Sequence, residues 1–374
     1  MIEKMDFSKF VGDKKPNVEE IEGFVLYYNE ILNKWAYRPR EGYSEKYISD
    51  NQFIPQTQKL NESSNEKKRN IDLAKEKKND EFYTRFEDIV KEVNHYRDFF
   101  KDKIVYCPCD KAFNKGRSEF VNYFLKVGKE WGIKKVIYSQ YNPYGRGYMW
   151  EIVFNENKDY IDLDEHNIDT YLLDGDGNFL SDECKNIMKE CDIIVTNPPF
   201  SLFRKFVKQI FDCDKQFLII GNKNAITYKE IYPLIQNNKI WLGYTSPKDF
   251  TQPFTDKVKK LNGLTRWFTN IPHKKRINEK IDIWKTYSPD KYFKYDNYPN
   301  AIECGHYLPN GDWKGSVDDI PDYDGIMGVP ITFLDVYNPN QFEIVGFRKG
   351  LDGKDLIFNG YSPYFRVLIK KKCN

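Results

Sequence analysis

From residue 103 onward the apolar positions fall into short continuous runs separated by stretches of helical period. KIVYCPC (103–109), KKVIYSQY (134–141), DTYLL (169–173), DIIVTN (192–197) and QFLIIGN (216–222) read as strands. Between and after them, residues 118–131, 181–190 and 201–211 carry a helical repeat. In the last of these, Leu202, Phe203, Phe206, Val207, Ile210 and Phe211 share one side, as on a helix that covers a sheet. Phe217 to Ile220 is apolar without a break and predicts a strand buried on both faces, followed by a helix over Ala225–Asn238 and the KIWLGY run at 239–244. The alternation predicts an α/β fold, a doubly wound sheet with helices on both faces that closes near residue 245.

The flanks differ. Asn17 followed by Glu20 reads as a helix N-cap with its box partner. Val18, Ile21, Val25, Tyr28, Leu32 and Trp35 then recur at three- and four-residue steps, so residues 1–60 are expected to form a helical extension. Residues 61–80 are polar and of mixed charge, which suits a linker or an exposed helix. The catalytic unit is then expected over 81–245. Beyond it Pro, Gly, Asn and aromatics become frequent and the apolar runs short (ITFL, FEIVGF, YFRVLIK), which predicts a smaller β-rich region over 246–374.

Composition narrows the class. Hydrophobic residues make up 40% of the 374 and aromatics 16%, enough to fill a sizeable core. No apolar run approaches the length of a membrane span and the N-terminus lacks a signal-peptide pattern, so a soluble cytoplasmic protein is expected. Seven cysteines in no repeated spacing read as reduced thiols, and no ligand spacing suggests a bound metal. The formal charge of +2 conceals a basic segment. Lys257, Lys259, Lys260, Arg266, Lys274, Lys275, Arg276 and Lys280 stand against only Asp256 and Glu279, with Trp267, Phe268 and His273 interleaved. Such a run is often just a solvated face, but aromatics among cations also suit stacking and phosphate pairing with a nucleic acid.

The chemistry concentrates at Asn197-Pro198-Pro199-Phe200, where a buried strand stops at a polar residue and two prolines and a helix begins. In a parallel sheet this is the carboxyl edge, where such folds bind ligands. An Asn side-chain oxygen and the Pro198 carbonyl can accept both hydrogens of one planar NH2 group, and Phe200 can stack on a flipped base. A strand-ending turn stiffened by Pro-Pro is the plain alternative. Upstream, Asp174-Gly175-Asp176-Gly177-Asn178 reads as an Asp-Gly turn. A calcium loop is disfavoured, because Phe179 and Lys185 stand where its glycine and bidentate Glu belong.

The chain resembles the EcoRI-type adenine-specific DNA methyltransferases. The likeness runs through NDEFYTRFEDI (79–89), KIVYCPCD (103–110), LLDGDGNF (172–179), DIIVTNPPFSLF (192–203), FLIIGNKNAITYKEI (217–231), RWFTN (266–270), HKKR (273–276) and MGVPITFLDVYNP (327–339). It implies a Rossmann-like, S-adenosylmethionine-dependent methyltransferase that modifies N6 of adenine in double-stranded DNA. In such an enzyme Asn197, Pro198, Pro199 and Phe200 are catalytic and Phe82, Tyr83 and Thr84 hold the amino-acid end of the cofactor. Cys107, Pro108, Cys109 and Asp110 form the turn after the first strand, and Asp176 contacts the adenine of the cofactor. The sequence departs from the usual pattern in lacking GxGxG, and it offers Gln140 and Asn142 where an acid commonly meets the ribose.

Arg266, Trp267, Lys274, Lys275 and Arg276 become the candidates for DNA contact in a C-terminal target-recognition region. The resemblance further implies a monomer and leaves room for a separate cognate restriction endonuclease. Residues 1–60 are too short to hold one. Two kinds of alternative stay open: the same pocket acting on cytosine N4, RNA adenine or a protein glutamine, and a non-catalytic DNA-binding relative.

Overall fold

A computed structural model describes the backbone of four N-terminal strands within residues 9–39. Beyond these it describes residues 83–108, 111–112, 116–142, 145–154, 169–251, 258–261, 263–283, 285–347 and 355–372. The proposed linker at 61–80 lies outside the described residues.

Among the described residues the N-terminal segment forms strands where the sequence predicts a helix. Lys9–Gly12, Glu20–Ile21, Phe24–Asn29 and Lys34–Pro39 make an antiparallel sheet in the order first, fourth, third, second. FVLYYN and KWAYRP concentrate β-branched and aromatic residues and pair with Tyr27 opposite Ala36. Runs this short and this apolar fit a helical spacing by accident, since strand and helix periods are poorly separated over six residues.

The main body is an eight-stranded sheet. Its strands in chain order are β1 (Ile104–Cys107), β2 (Lys135–Gln140), β3 (Tyr148–Val153), β4 (Asp169–Leu172), β5 (Ile193–Thr196), β6 (Gln216–Asn222), β7 (Trp241–Leu242) and β8 (Thr265–Thr269). Across the sheet they run β4-β3-β2-β1-β5-β6-β8-β7. The central four, β2, β1, β5 and β6, are mutually parallel, whereas β3, β4, β8 and β7 join by antiparallel pairing. Successive side chains of β5 and β6 enter two different core clusters: Ile194, Phe217 and Ile219 on one face, Ile193, Val195, Leu218 and Ile220 on the other. A strand buried on both faces needs apolar residues at every position, which DIIVTN and QFLIIGN supply.

Helices cover both faces. Helix α1 (Phe86–Val93) and α2 (Glu119–Trp131) bury Ile89, Val93, Phe120 and Phe124 against one side. Helix α3 (Asp182–Glu190) and α4 (Phe203–Asp212) bury Met188, Phe206, Val207 and Ile210 against the other. Each such side chain contributes roughly 1.5–3 kcal/mol on burial. Ser118 and Ser181 cap α2 and α3 by accepting from Val121 N (3.3 Å) and Cys184 N (3.2 Å).

Three sequence expectations need correction. The sheet does not close near 245, because β8 inserts between β6 and β7, so the boundary expected there falls inside the sheet. The helix over Ala225–Asn238 breaks into a 3-10 turn at Lys223–Thr227 and a short α5 (Tyr232–Gln236), with Pro233 in its first turn. ITFL is not a strand but part of a 3-10 segment, Ile331–Asp335, since Pro330 ends the strand before it.

The C-terminal residues form a second sheet from β9 (Lys294–Tyr295), β10 (Tyr298–Glu303), β11 (Ile326–Pro330), β12 (Phe342–Phe347) and β13 (Arg366–Lys371), ordered β9-β10-β11-β13-β12. One face, through Ile302, Met327, Val329, Phe342, Ile344, Val367 and Ile369, belongs to the same core cluster as α4 and β6. No helix among the described residues is long and apolar enough to cross a membrane.

Candidate functional site

The site is assembled where β1 and β5 end side by side. Ile193 pairs with Val105 and Ile194 with Tyr106, so Thr196 stands level with Pro108, and the Thr196 hydroxyl donates to the Pro108 carbonyl at 2.8 Å. From here the chain order runs outward in both directions, β1 to β2 on one side and β5 to β6 on the other. The crevice at such a reversal is where open α/β sheets take their ligands. Asn197 is partly exposed and Pro198 buried. Leu202 N donates to Pro199 O (3.0 Å), turning the chain into the 3-10 segment Phe200–Leu202 that leads into α4. Phe200 is half-buried and packs on the core face that holds α1 and α2.

Asp176 is brought to the same edge. Asn142 N donates to Asp176 O at 2.8 Å, which lays the 174–177 turn over the end of β2. Gly177, at φ +76°, comes so close that a Cβ there would stand 2.2 Å from the Gln140 carbonyl, and only glycine fits. Gln140 and Asn142 are both buried polar residues beside this turn. Glu183 holds the turn from behind, accepting from Asp174 N (2.7 Å) and Gly175 N (3.0 Å). The α4 residue Gln209 donates to Phe179 O at 2.6 Å, and Phe206 meets the Phe179 ring edge-on. The helix after Phe200 is thereby tied to the loop that carries Asp176.

Tyr83 and Thr84 form a short strand against Phe250 and Thr251. Thr84 is buried and its hydroxyl has no hydrogen-bond partner among the described residues. An orphaned hydroxyl of this kind suits the polar amino-acid end of a ligand. Cys107 ends β1 with its side chain in the core. Phe82, Cys109 and Asp110 lie outside the described residues.

A buried carboxylate that sequence reasoning missed shapes the neighbouring edge. Glu92, on α1, accepts from Tyr244 N (2.8 Å), Thr245 N (2.7 Å), the Thr245 hydroxyl (2.6 Å) and the Tyr96 hydroxyl (2.9 Å), and so holds the loop after β7. Burial pushes its carboxyl above the usual range while these donors pull it back. Gly243 is required beside it, since a Cβ would fall 2.1 Å from a Glu92 oxygen. Nothing local in the sequence could have signalled this, because the loop lies about 150 residues downstream of Glu92.

A model of the family of EcoRI adenine-specific methyltransferases matches residues 70–372. The chain belongs to that family. It is 40% identical over 328 residues to the type II methyltransferase M.EcoRI of Escherichia coli, covering 80% of this chain and 95% of that one. It is 35% identical over 341 residues to the type II methyltransferase M.MpnI of Mycoplasma pneumoniae, covering 80% and 98%. The match to M.MgeORF184P of Mycoplasma genitalium is 32% over 336 residues. No solved structure matches.

Against this membership the expected DNA contacts sort unevenly. Trp267 is fully buried on β8 and meets Phe120 edge-on in the core, so it offers no stacking face to a ligand. Arg266 is buried too, its guanidinium paired with Asp335 (Nε–Oδ1 2.9 Å, Nη2–Oδ2 3.2 Å). Both sit in an interior strand of the sheet, and the basic residues around them in sequence concealed this. Arg276 lies over the rings of Trp241 (4.5 Å) and Tyr337 (5.5 Å) and bonds to Asn238, so it ties β7 to the segment that follows Ile331–Asp335. Lys274 is exposed on α6 (Lys274–Asn278), and half-buried Lys275 lines two cavities of about 390 and 400 Å³ that open beside β7. Neither cavity is lined by residues 197–200.

His273 caps α6, taking Arg276 N on Nδ1 (3.4 Å), and its Nε2 lies 3.0 Å from the Leu242 carbonyl. A carbonyl can only accept, so the proton sits on Nε2 and the ring is neutral. Burial pushes its pKa down from 6.5 to about 4, with Arg276 and Lys275 adding to the effect. The unfolded chain therefore binds a proton here more readily than the folded one. Stability from His273 is complete above pH 6.5 and is lost as pH falls toward 4. In His273→Gln the acid-side loss in thermal midpoint should be shallower across that window. An unchanged pH profile would remove His273 as its source.

Proposed function

We propose that this chain transfers a methyl group from S-adenosylmethionine to the N6 amine of an adenine turned out of double-stranded DNA. The observation that carries the reading is the placement of Asn197-Pro198-Pro199-Phe200 at the end of a buried parallel strand, beside Pro108 and across the edge from Asp176. Asn197, through its side-chain oxygen, and Pro198, through its carbonyl, accept the two amine hydrogens. Held so, the nitrogen lone pair points out of the ring plane toward the cofactor pocket, which is catalysis by positioning and electrostatics. Phe200 stacks on the extruded base and offsets part of the unstacking cost.

The described residues fit the cofactor. Buried Thr84, whose hydroxyl is unpartnered among the described residues, suits with Tyr83 the amino-acid end; Asp176 suits the adenine; buried Gln140 and Asn142, beside the Asp176 turn, suit the ribose. Phe82 and the turn from Cys107 to Asp110 complete the pocket in this reading. When bound, S-adenosylmethionine supplies an electrophilic methyl group. Its binding at the reversal point accords with a doubly wound, Rossmann-like reading of the four parallel strands. Lys274 and Lys275 are the DNA contacts of the C-terminal target-recognition region, Arg266 and Arg276 brace it through Asp335 and Tyr337, and Trp267 belongs to the core of the main sheet. The enzyme acts as a cytoplasmic monomer with no metal, as the modification arm of a restriction-modification system, and this reading leaves room for a separate cognate endonuclease.

The test is transfer of labelled methyl from S-adenosylmethionine to plasmid DNA by the full chain, with the modified nucleoside identified by mass. N6-methyladenine is expected. N4-methylcytosine, or label entering only RNA or protein, would overturn the substrate. No transfer to any acceptor would overturn the activity.

A further inference from the structure

We propose that Lys223 grips the DNA phosphodiester that flanks the flipped adenine, with the Arg266–Asp335 pair holding it in place. The assignment rests on the activity proposed above. Lys223 follows directly on β6. Asn222 pairs with Thr265, and Lys223 N donates to Leu264 O at 2.7 Å, so the backbone ladder carries the residue past the strand end onto the carboxyl edge. Thr196 pairs with Ile219 on the adjacent strand, which places Asn197 level with Ile220 in register; Lys223 comes three residues after Ile220, where the 3-10 segment begins, about 10 Å further along the strand direction. A cation at that height above the base pocket meets the backbone of the nucleotide rather than the base.

The local charge is unbalanced. Two cations, Lys223 and Arg266, share one carboxylate, Asp335, and Arg266 takes both of its oxygens. Arg266 is further fixed by donating from Nη1 to Thr265 O at 2.9 Å. No carboxylate pairs with the Lys223 ammonium among the described residues, yet the side chain is half-buried. Burial first, and then Arg266, press its pKa down from 10.5, while Asp335 opposes them. The folded protein thus holds a partly desolvated, uncompensated positive charge beside its candidate active site. A phosphate oxygen relieves that cost, and the planar Arg266–Asp335 pair keeps the lysine from collapsing onto the carboxylate itself.

The experiment uses the full chain and a short duplex carrying a site that the wild type is found to methylate. Binding is followed against salt concentration. Lys223→Gln is expected to bind about tenfold more weakly at low salt and to lose about one unit from the slope of log K against log salt. Its melting temperature should stay level or rise, since a partly desolvated charge is removed, its affinity for S-adenosylmethionine should not change, and Lys223→Arg should restore DNA binding. For the wild type, a neutral methylphosphonate at the phosphate flanking the target adenine should cost as much as the variant does, and it should cost Lys223→Gln nothing further. Unchanged affinity and slope in Lys223→Gln overturn the proposal, as do methylphosphonate and lysine losses that add in full. Wild-type protein that methylates no DNA overturns the activity instead, so the two failures are distinct.

Discussion

Asn197→Ala is expected to lower the rate of methyl transfer to DNA by about 10²–10³-fold or more, the cost of removing one preorganised partner of the reacting group. Its affinity for S-adenosylmethionine should change little. The side-chain oxygen accepts one of the two amine hydrogens in the proposed pose, and alanine leaves only the Pro198 carbonyl to orient the nitrogen. The strand and turn should persist, because their geometry comes from the β1–β5 pairing, the Thr196–Pro108 hydrogen bond and the two prolines. Stopped-flow measurement of a single turnover separates this loss from slow product release. A variant that turns over within a few-fold of the wild type would remove Asn197 from the chemistry.

Glu303→Ala should produce the largest loss of stability. Glu303 is fully buried on β10 and receives Arg366 Nε (2.8 and 2.9 Å to its two oxygens), Arg366 Nη2 (2.7 Å), Trp313 Nε1 (3.0 Å) and the Tyr295 hydroxyl. Alanine would leave the guanidinium of Arg366, itself buried, without its counter-charge, and two further donors without an acceptor. Breaking such a pair costs about 3–5 kcal/mol, or roughly 4–6 °C in thermal midpoint for a chain of this size. Glu303→Gln, which keeps an acceptor, should lose less. The double variant Glu303→Ala, Arg366→Met should recover part of the loss, because it no longer buries a lone charge. A midpoint for Glu303→Ala within a degree or two of the wild type would show that the cluster contributes no net stability.

The elements easiest to read from the sequence were those buried on both faces. β5 and β6 are continuous apolar runs, α2 and α3 show both period and cap, and α4 shows the period, so the positions of Thr196 and Asn197 followed from local pattern. The elements misread were short or ambiguous in period. FVLYYN fits a helix as well as a strand until it is paired, and Ile331–Asp335 has strand-like residues but follows a proline. Strand β8 was misassigned for another reason: its basic neighbours suggested a surface, whereas pairing with β6 and β7 places Trp267 in the core.

By itself, the sequence determined the order of the four parallel strands and of the helices between them, the turn at Asn197-Pro198-Pro199-Phe200 and membership of a methyltransferase family, because these depend on residue types a few positions apart. Only the tertiary structure decided what meets at the edge of the sheet. Asp176 reaches the end of β2 because Gly177 allows the chain within contact of Gln140, and Glu92 holds a loop far downstream of it. Arg266 proves to be Asp335's partner, not a free cation, and no carboxylate among the described residues pairs directly with Lys223. Hydrogen bonding and charge compensation are settled by groups distant in the chain. Periodicity cannot report them, whereas burial and distance can.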